Sequence, residues 1–131
     1  MEKFDKFVAL GGRFFLSLIF IATGAGKMAE MGASTIAYME AVGVPGFLFW
    51  PSALFELLAG IAILIGYRTK FVAMLLAGFC VLTAVMFHAD FSDQIQMILF
   101  MKNLAMAGGF MMLMRFGAGE FSMDNKAATG A

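Results

Sequence analysis

Four apolar stretches, each long enough to cross a lipid bilayer as a helix, constrain this sequence more than any other feature. They run over residues 7–25, 47–66, 71–87 and 95–114. A spanning helix needs roughly 20 mostly apolar residues, with about 17 as the lower limit. Of the 131 residues, 62% are hydrophobic and 14% are charged, and a soluble domain of this size could not bury that much apolar surface. The sequence therefore predicts an all-α fold, a four-helix transmembrane bundle that forms a single membrane domain.

The connections between the spans predict how the helices are arranged. Residues 67–70 and 88–94 are short connections, so the spans that they join should be antiparallel neighbours. Only the connection over residues 26–46 is long, and within it Ser34 can cap a short helix over residues 35–42 that stops at Gly43. A helix of this length cannot cross a bilayer. We therefore expect a short interfacial helix between helices one and two.

The distribution of charge predicts the orientation, because basic residues accumulate on the cytoplasmic side of a membrane. Most basic residues outside the spans fall on the side of the two termini, namely Lys3, Lys6, Arg68, Lys70, Arg115 and Lys126. The opposite loops carry four acidic residues and one basic residue, namely Glu30, Glu40, Asp90, Asp93 and Lys27. Both termini are therefore predicted to be cytoplasmic.

The two ends of the chain allow further predictions. Residues 1–25 can also be interpreted as a cleaved signal peptide, but Arg13 inside the apolar stretch argues against this. Residues 116–131 are rich in Gly and Ala and poor in large apolar residues. This composition predicts a mobile cytoplasmic tail.

The composition excludes several classes of function. Nine basic and nine acidic residues give a net charge of zero, so no basic excess is available for nucleic acid. A single cysteine, Cys80, rules out an intrachain disulfide and a dithiol redox couple. With His88 as the only histidine, two histidines cannot ligate a haem within one chain. The 13 methionines form no compact cluster of the kind that selects copper, and we predict no metal site.

Helical spacing predicts which face each span turns towards the bundle interior. An ionisable group at the centre of a span costs about 2.5–3.5 kcal/mol on insertion scales, so such groups face the bundle. The inward stripe of span one consists of Arg13, Ser17, Phe20, Gly24 and Lys27. The inward stripe of span three consists of Ala73, Ala77, Cys80, Ala84 and His88. Span two places Glu56 and Gly60 together, and span four places Lys102, Met106 and Gly109 together. The small residues in these stripes should let neighbouring helices approach closely.

The depths of the charged residues suggest an ion pair. Glu56 and Lys102 lie about nine and about seven residues inside the outer ends of their spans, or roughly 11–14 Å deep at about 1.5 Å per residue. Opposite charges at the same depth can neutralise each other, so we predict a Glu56–Lys102 pair. Lys27, His88 and Asn103 lie nearer the mouth or beside this pair. Together the five residues form a candidate outward-facing polar site, with Arg13 apart from it towards the cytoplasm.

Each of these residues also has a purely structural interpretation. Lys27 could extend to the outer headgroups, and His88 could be an ordinary interfacial residue. Arg13 could anchor to cytoplasmic lipid phosphates. The predicted Glu56–Lys102 pair could only fix the register of two helices. Intramembrane ionisable residues are nevertheless functional candidates by default.

The sequence resembles the DoxX family over about residues 7–116. The resemblance is carried by short segments in order, namely Arg13, FIATGAGK at 20–27, GVP at 43–45, ELLAG at 56–60, GYRT at 66–69, FH at 87–88, and KNL at 102–104 followed by Gly108 and Gly109. Each segment alone is weak, but their order and spacing together are fairly specific. The resemblance implies a four-helix bacterial inner-membrane protein.

The resemblance also implies a quinone-linked redox role, because relatives are associated with quinol oxidase, with thiosulfate oxidation and with resistance to oxidative or quinone stress. This is an analogy at the level of the fold. At most, the chain would be a subunit of a quinone-dependent membrane oxidoreductase, with quinone as its ligand and with redox partner subunits or a homo-oligomer. The alternatives are a structural or assembly subunit without chemistry, and a small-solute or proton transporter that acts as an oligomer.

Overall fold

The computed structural model describes residues 2–29 and 32–129 and contains helices and one 3-10 turn. The helices are α1 (Glu2–Ala29), α2 (Ala33–Ala41), α3 (Phe49–Ile65), α4 (Thr69–Phe87), α5 (Gln94–Phe116) and α6 (Met123–Thr129), and the turn Gly46–Leu48 leads directly into α3. Four of these segments are long and apolar enough to span a membrane: Lys3–Ala29, Gly46–Ile65, Thr69–Phe87 and Gln94–Phe116. The predicted all-α class and the four predicted spans are confirmed. We call the end of the bundle that carries both termini the terminal end and the opposite end the loop end.

The short helix in the long connection exists, but its start differs from the prediction. Ser34 lies inside α2, and the residue before the helix is Gly32, whose φ of 76° is in the left-handed region. A side chain at this position would be strained and would collide with the ring of Phe49. Glycine therefore begins the helix here because only glycine fits both the backbone and the neighbouring ring.

The four spanning helices associate mainly as two antiparallel pairs, α1 with α3 and α4 with α5. Glycines allow the close approach of the first pair. A Cβ on Gly24 would lie 2.8 Å from the backbone nitrogen of Leu57 and 3.0 Å from the carbonyl oxygen of Ala53. A Cβ on Gly60 would lie 3.1 Å from the backbone nitrogen of Ile21. The two backbones are thus in direct contact, as the small residues in the sequence predict.

This contact predicts opposite effects for two glycines that lie two positions apart in α1. Gly24→Ala should lower the free energy of unfolding by about 1–3 kcal/mol, because the new methyl group must push α3 away. A Cβ on Gly26 would meet nothing within 4 Å, so Gly26→Ala should be neutral or stabilising by up to about 1 kcal/mol. SDS titration of both variants in mixed micelles measures the difference. Equal stabilities would contradict the close approach.

The inward faces of three spans agree with the prediction, whereas that of α5 differs by one residue. On α1, Arg13, Ser17 and Phe20 are almost completely buried. On α5, however, the buried residues are Asn103, Ala107 and Phe110, not the predicted set that contains Lys102. The helix is therefore rotated by about 100° relative to the expectation. The large ring of Phe110 takes the interior position, where its centroid lies 5.6 Å from that of Phe20.

Arg13 joins three parts of the chain at the terminal end. Its Nη1 donates to the carbonyl oxygens of Ile63 at 3.1 Å and Leu64 at 2.6 Å, and its Nη2 donates to the carbonyl oxygen of Phe121. The first two carbonyls belong to the last turn of α3, whose carbonyls lack partners within the helix, and the Ile63 carbonyl also accepts from the Gly66 backbone nitrogen at 3.2 Å. The side chain is fully buried. The interpretation of Arg13 as an anchor to lipid phosphates is therefore wrong.

The segment that follows α5 also packs onto this end, which differs from the predicted mobile tail. Its backbone folds back so that the Asp124 nitrogen donates to the Gly66 carbonyl oxygen at 2.9 Å. The Asp124 carboxylate accepts from the backbone nitrogens of Arg68 at 2.7 Å and Thr69 at 2.8 Å, at the start of α4. The composition of the tail does not reveal this docking, because its contacts are made by the backbone carbonyl of Phe121 and by the backbone nitrogen and carboxylate of Asp124. We call Arg13, Gly66, Phe121 and Asp124 the terminal clasp.

The environment of Asp124 stabilises its charged form. Burial raises the pKa of this carboxyl, but the hydrogen bonds from Thr69 and Arg68 and the charge of Arg13 outweigh that effect, so the pKa lies below its ordinary value. A carboxylate at a helix N-terminus is favoured by the unpaired N–H groups and by the helix dipole. Asp124 thus caps α4 from a distant part of the sequence.

Candidate functional site

A cavity of about 370 Å³ opens between the two helix pairs at the loop end. All four spanning helices and α2 line it, and its walls are mostly aromatic and aliphatic. All five residues of the predicted polar site border this one cavity, namely Lys27, Glu56, His88, Lys102 and Asn103. The cavity volume lies within the range of about 300–1,000 Å³ that is typical of small-molecule sites.

The ion pair in the cavity differs from the predicted one. Lys27 Nζ donates to Glu56 Oε2 at 2.8 Å, and no other salt bridge occurs in residues 2–29 and 32–129. The predicted Glu56–Lys102 pair is therefore wrong. A depth derived from residue positions alone does not include the direction of the side chains, which lean towards the N-terminus of a helix. Lys27 at the end of α1 leans into the bundle, whereas Glu56 on α3 leans towards the loop end and meets it.

The second oxygen of Glu56, Oε1, accepts a longer hydrogen bond than Oε2 does. Its neighbour is the Thr23 hydroxyl, one turn before Lys27, at 3.4 Å from Oε1. That hydroxyl has a shorter hydrogen bond to the Ile19 carbonyl oxygen at 2.7 Å. Because a hydroxyl donates one hydrogen, Oε1 has no strong donor among the described residues. Thr23 was not among the predicted site residues, although its spacing of four residues from Lys27 places both on one helix face.

The two polar residues on α5 have different roles. Asn103 is buried, and its Nδ2 donates to the Cys80 carbonyl oxygen at 3.2 Å and to the Thr83 hydroxyl at 3.0 Å. It therefore joins α5 to α4 within the cavity wall. Lys102 is the neighbouring residue, but it is exposed on the cavity side of α5. Its ammonium is the second positive charge on the cavity wall, after that of Lys27.

The loop end of the cavity is covered by α2 and by the end of α4. The Tyr38 ring of α2 stacks on Phe87 with 5.9 Å between the centroids, and its hydroxyl donates to the Phe87 carbonyl oxygen at 3.2 Å. His88 follows Phe87 and places its Nδ1 2.8 Å from Gln96 Oε1 of α5. Met39 of α2 packs against Val44 and Phe49. The long connection thus forms a roof over the cavity. The sequence could not predict this roof, because helical spacing does not show which residues α2 contacts.

The end of the cavity that faces the bundle centre is closed by the hydrophobic core. Phe20 lines the cavity and also belongs to the core, where it packs with Ile63, Leu76 and Phe110. All four are almost completely buried. Arg13 lies beyond this core at the terminal end, so the structure separates it from the cavity, as the sequence predicts.

Comparisons with known proteins agree with this architecture. The model of the DoxX family matches residues 8–89 of the chain. The chain is 41% identical over 124 residues to the inner membrane protein YqjF of Escherichia coli K12, and the match covers 95% of each chain. It is 32% identical over 121 residues to the inner membrane protein YphA of the same organism, covering 87% of this chain and 86% of that one. No solved structure gives a significant match.

Proposed function

This chain belongs to the DoxX family and is a multi-pass inner-membrane protein, and we propose that it binds a quinone in the loop-end cavity as a subunit of a membrane redox or oxidative-stress system. The observation that carries the proposal is the Lys27–Glu56 pair inside a cavity whose walls are mostly aromatic and aliphatic. The charge distribution of the sequence supports cytoplasmic termini. The cavity would then lie in the outer half of the membrane.

The polar groups of the cavity suit a ring with two carbonyl oxygens. Lys27 uses one of its three N–H groups on Glu56, which leaves others to donate to a carbonyl. Lys102 can donate to the second carbonyl from the α5 side. Glu56 Oε1 can accept from the hydroxyl of the reduced ring and can take or give a proton. One site can thus hold the ligand in both of its oxidation states.

The apolar walls suit the rest of such a molecule. Phe79 packs between Phe20 and Phe55, with ring centroids 6.4 Å and 5.3 Å apart. Phe20 and Phe79 line the cavity together with Phe49 and Phe87. Aromatic rings favour edge-to-face or offset contact with a flat ligand. Because the chain has one cysteine and one histidine, onward electron transfer would require a partner subunit or a second copy of this chain.

The proposal has a structural alternative that one observation also favours. The Lys27–Glu56 pair joins α1 to α3, and an ion pair of this kind can serve only to fix helix register. A structural or assembly subunit would then need no ligand. The transporter alternative has less support, because the core around Phe20 and Phe110 fills the bundle below the cavity in the described residues.

The single tryptophan provides the test of quinone binding. The ring of Trp50 lies 5.0 Å from that of Phe49, which lines the cavity. Titration of the protein in a neutral detergent with a short-chain ubiquinone should give saturable quenching of Trp50 fluorescence. Lipid extracts of the purified protein should contain quinone by mass spectrometry.

Two variants on α3 make this test specific. Ser52 lines the cavity and Leu54 lies on the lipid-facing side. Ser52→Phe should weaken the saturable quenching at least tenfold, because the new ring occupies the cavity, whereas Leu54→Phe should bind like the wild type. Quenching that is non-saturable or equal in both variants, together with extracts free of quinone, would favour the structural subunit.

A further inference from the structure

The charges that border the cavity do not balance. Two ammonium groups and one carboxylate line it, namely Lys27, Lys102 and Glu56. The first and last form an ion pair, with 2.8 Å between Lys27 Nζ and Glu56 Oε2. Lys102 has no carboxylate within salt-bridge distance in the described part of the chain. The cavity wall therefore carries one net positive charge.

The position of Lys102 makes this charge available to a ligand. It lies about 12 Å from the start of α5 at about 1.5 Å per residue, deeper than the residues near helix ends that readily reach the headgroups. Its side chain leans towards the N-terminus of α5 and hence towards the loop end. A ligand in the cavity would meet Lys102 beside the wall that Asn103 and Thr83 form.

A ligand with one negative charge would complement such a wall. In a medium of low dielectric constant a charge–charge contact is much stronger than in water. We propose that the cavity selects quinones with one acidic ring hydroxyl, and that Lys102 binds the oxygen of their anion. This inference rests on the proposed quinone function and specifies the class of quinone.

Two ligands of nearly equal shape test the charge requirement. The hydroxyl of 2-hydroxy-1,4-naphthoquinone is ionised at neutral pH because it is conjugated with a carbonyl, whereas 2-methoxy-1,4-naphthoquinone has no ionisable group. In a neutral detergent, quenching of Trp50 should show at least tenfold tighter binding of the hydroxy compound to the wild type. Equal affinities would overturn the inference but leave quinone binding intact. A failure of both compounds to bind would overturn the proposed function as well.

Variants of Lys102 test whether this side chain causes the tighter binding of the hydroxy compound. Lys102→Met should reduce the difference between the two ligands to about twofold or less, whereas Lys102→Arg should retain it. Lys70 lies at the terminal end and does not line this cavity, so Lys70→Met serves as a matched control and should retain the full difference. A preference that persists in Lys102→Met would overturn the role of Lys102.

A fatty acid is another amphiphile with a single negative charge, but its alkyl chain cannot make the edge-to-face or offset contacts that the aromatic side chains of the cavity offer a flat ring. Dodecanoate at the concentration of the hydroxyquinone should therefore displace little of it from the wild type. Efficient displacement that depends on Lys102 would assign the cavity to a fatty carboxylate and overturn the selection of a ring.

Discussion

Lys27→Met is expected to lower the free energy of unfolding by about 2–3 kcal/mol, because it leaves the Glu56 carboxylate buried without its ammonium partner. Removing one member of a buried pair typically costs about 3–5 kcal/mol. We expect less here because the Lys27 side chain is 31% exposed. Glu56→Gln should cost only about 1 kcal/mol, since the remaining lysine can turn towards the lipid headgroups.

The double variant separates the interaction energy of the Lys27–Glu56 pair from the effect of losing each side chain. Lys27→Met combined with Glu56→Gln should be about as stable as Glu56→Gln alone, which gives a coupling energy of about 2–3 kcal/mol in a double-mutant cycle. SDS titration in mixed micelles supplies the four stabilities. The control is Lys102→Met, which should stay within about 0.5 kcal/mol of the wild type. Strong coupling of Glu56 to Lys102 and none to Lys27 would contradict the observed pairing.

These residues show what a sequence can predict about a membrane site. The five polar residues were predicted to lie together because polar groups in spans must avoid the lipid, and they border one cavity. The partner of Glu56 could not be predicted from depth alone. It depends on the lean of each side chain and on the rotation of α5, which Phe110 and Asn103 set by filling the interior.

The fold likewise has some features that the sequence predicts and others that depend on contacts between distant residues. Hydropathy and loop length predict four spans, because the bilayer fixes their length. Glycine spacing predicts the close approach at Gly24. By contrast, the roof over the cavity and the docked tail depend on contacts between residues far apart in sequence, such as Tyr38 with Phe87. No periodic pattern encodes such contacts.

The structure explains the residues of the GYRT segment at 66–69 by their contacts. Gly66 adopts a φ of 71° at the end of α3, and a Cβ there would lie 2.9 Å from Arg13 Nη1. The backbone nitrogens of Arg68 and Thr69 bind the Asp124 carboxylate. The segment therefore forms the part of the terminal clasp to which the chain after α5 docks. The resemblance includes this segment but does not indicate the part of the chain that docks there.

Arg13→Met is expected to lower the free energy of unfolding by about 3 kcal/mol and to release the segment after α5. Its guanidinium is the donor that joins the end of α3 to the Phe121 carbonyl oxygen. An unsatisfied buried polar group costs about 1–3 kcal/mol, and more than one carbonyl loses a donor. Arg13→Lys should restore only part of the stability, because an ammonium lacks the planar fork that reaches both sides. Limited proteolysis should then cut residues 117–129 faster in Arg13→Met.

The matched control for Arg13 lies at the same end of the bundle. Arg115 is exposed in the last turn of α5, where its guanidinium packs 5.0 Å from the centre of the Phe116 ring. Arg115→Met removes the same charge from the terminal end, so a general electrostatic effect would appear in both variants. A loss of stability and protease protection in Arg13→Met alone would therefore arise from the clasp. If both variants match the wild type, the buried guanidinium does not hold the tail, and Asp124 at the start of α4 must supply the docking energy.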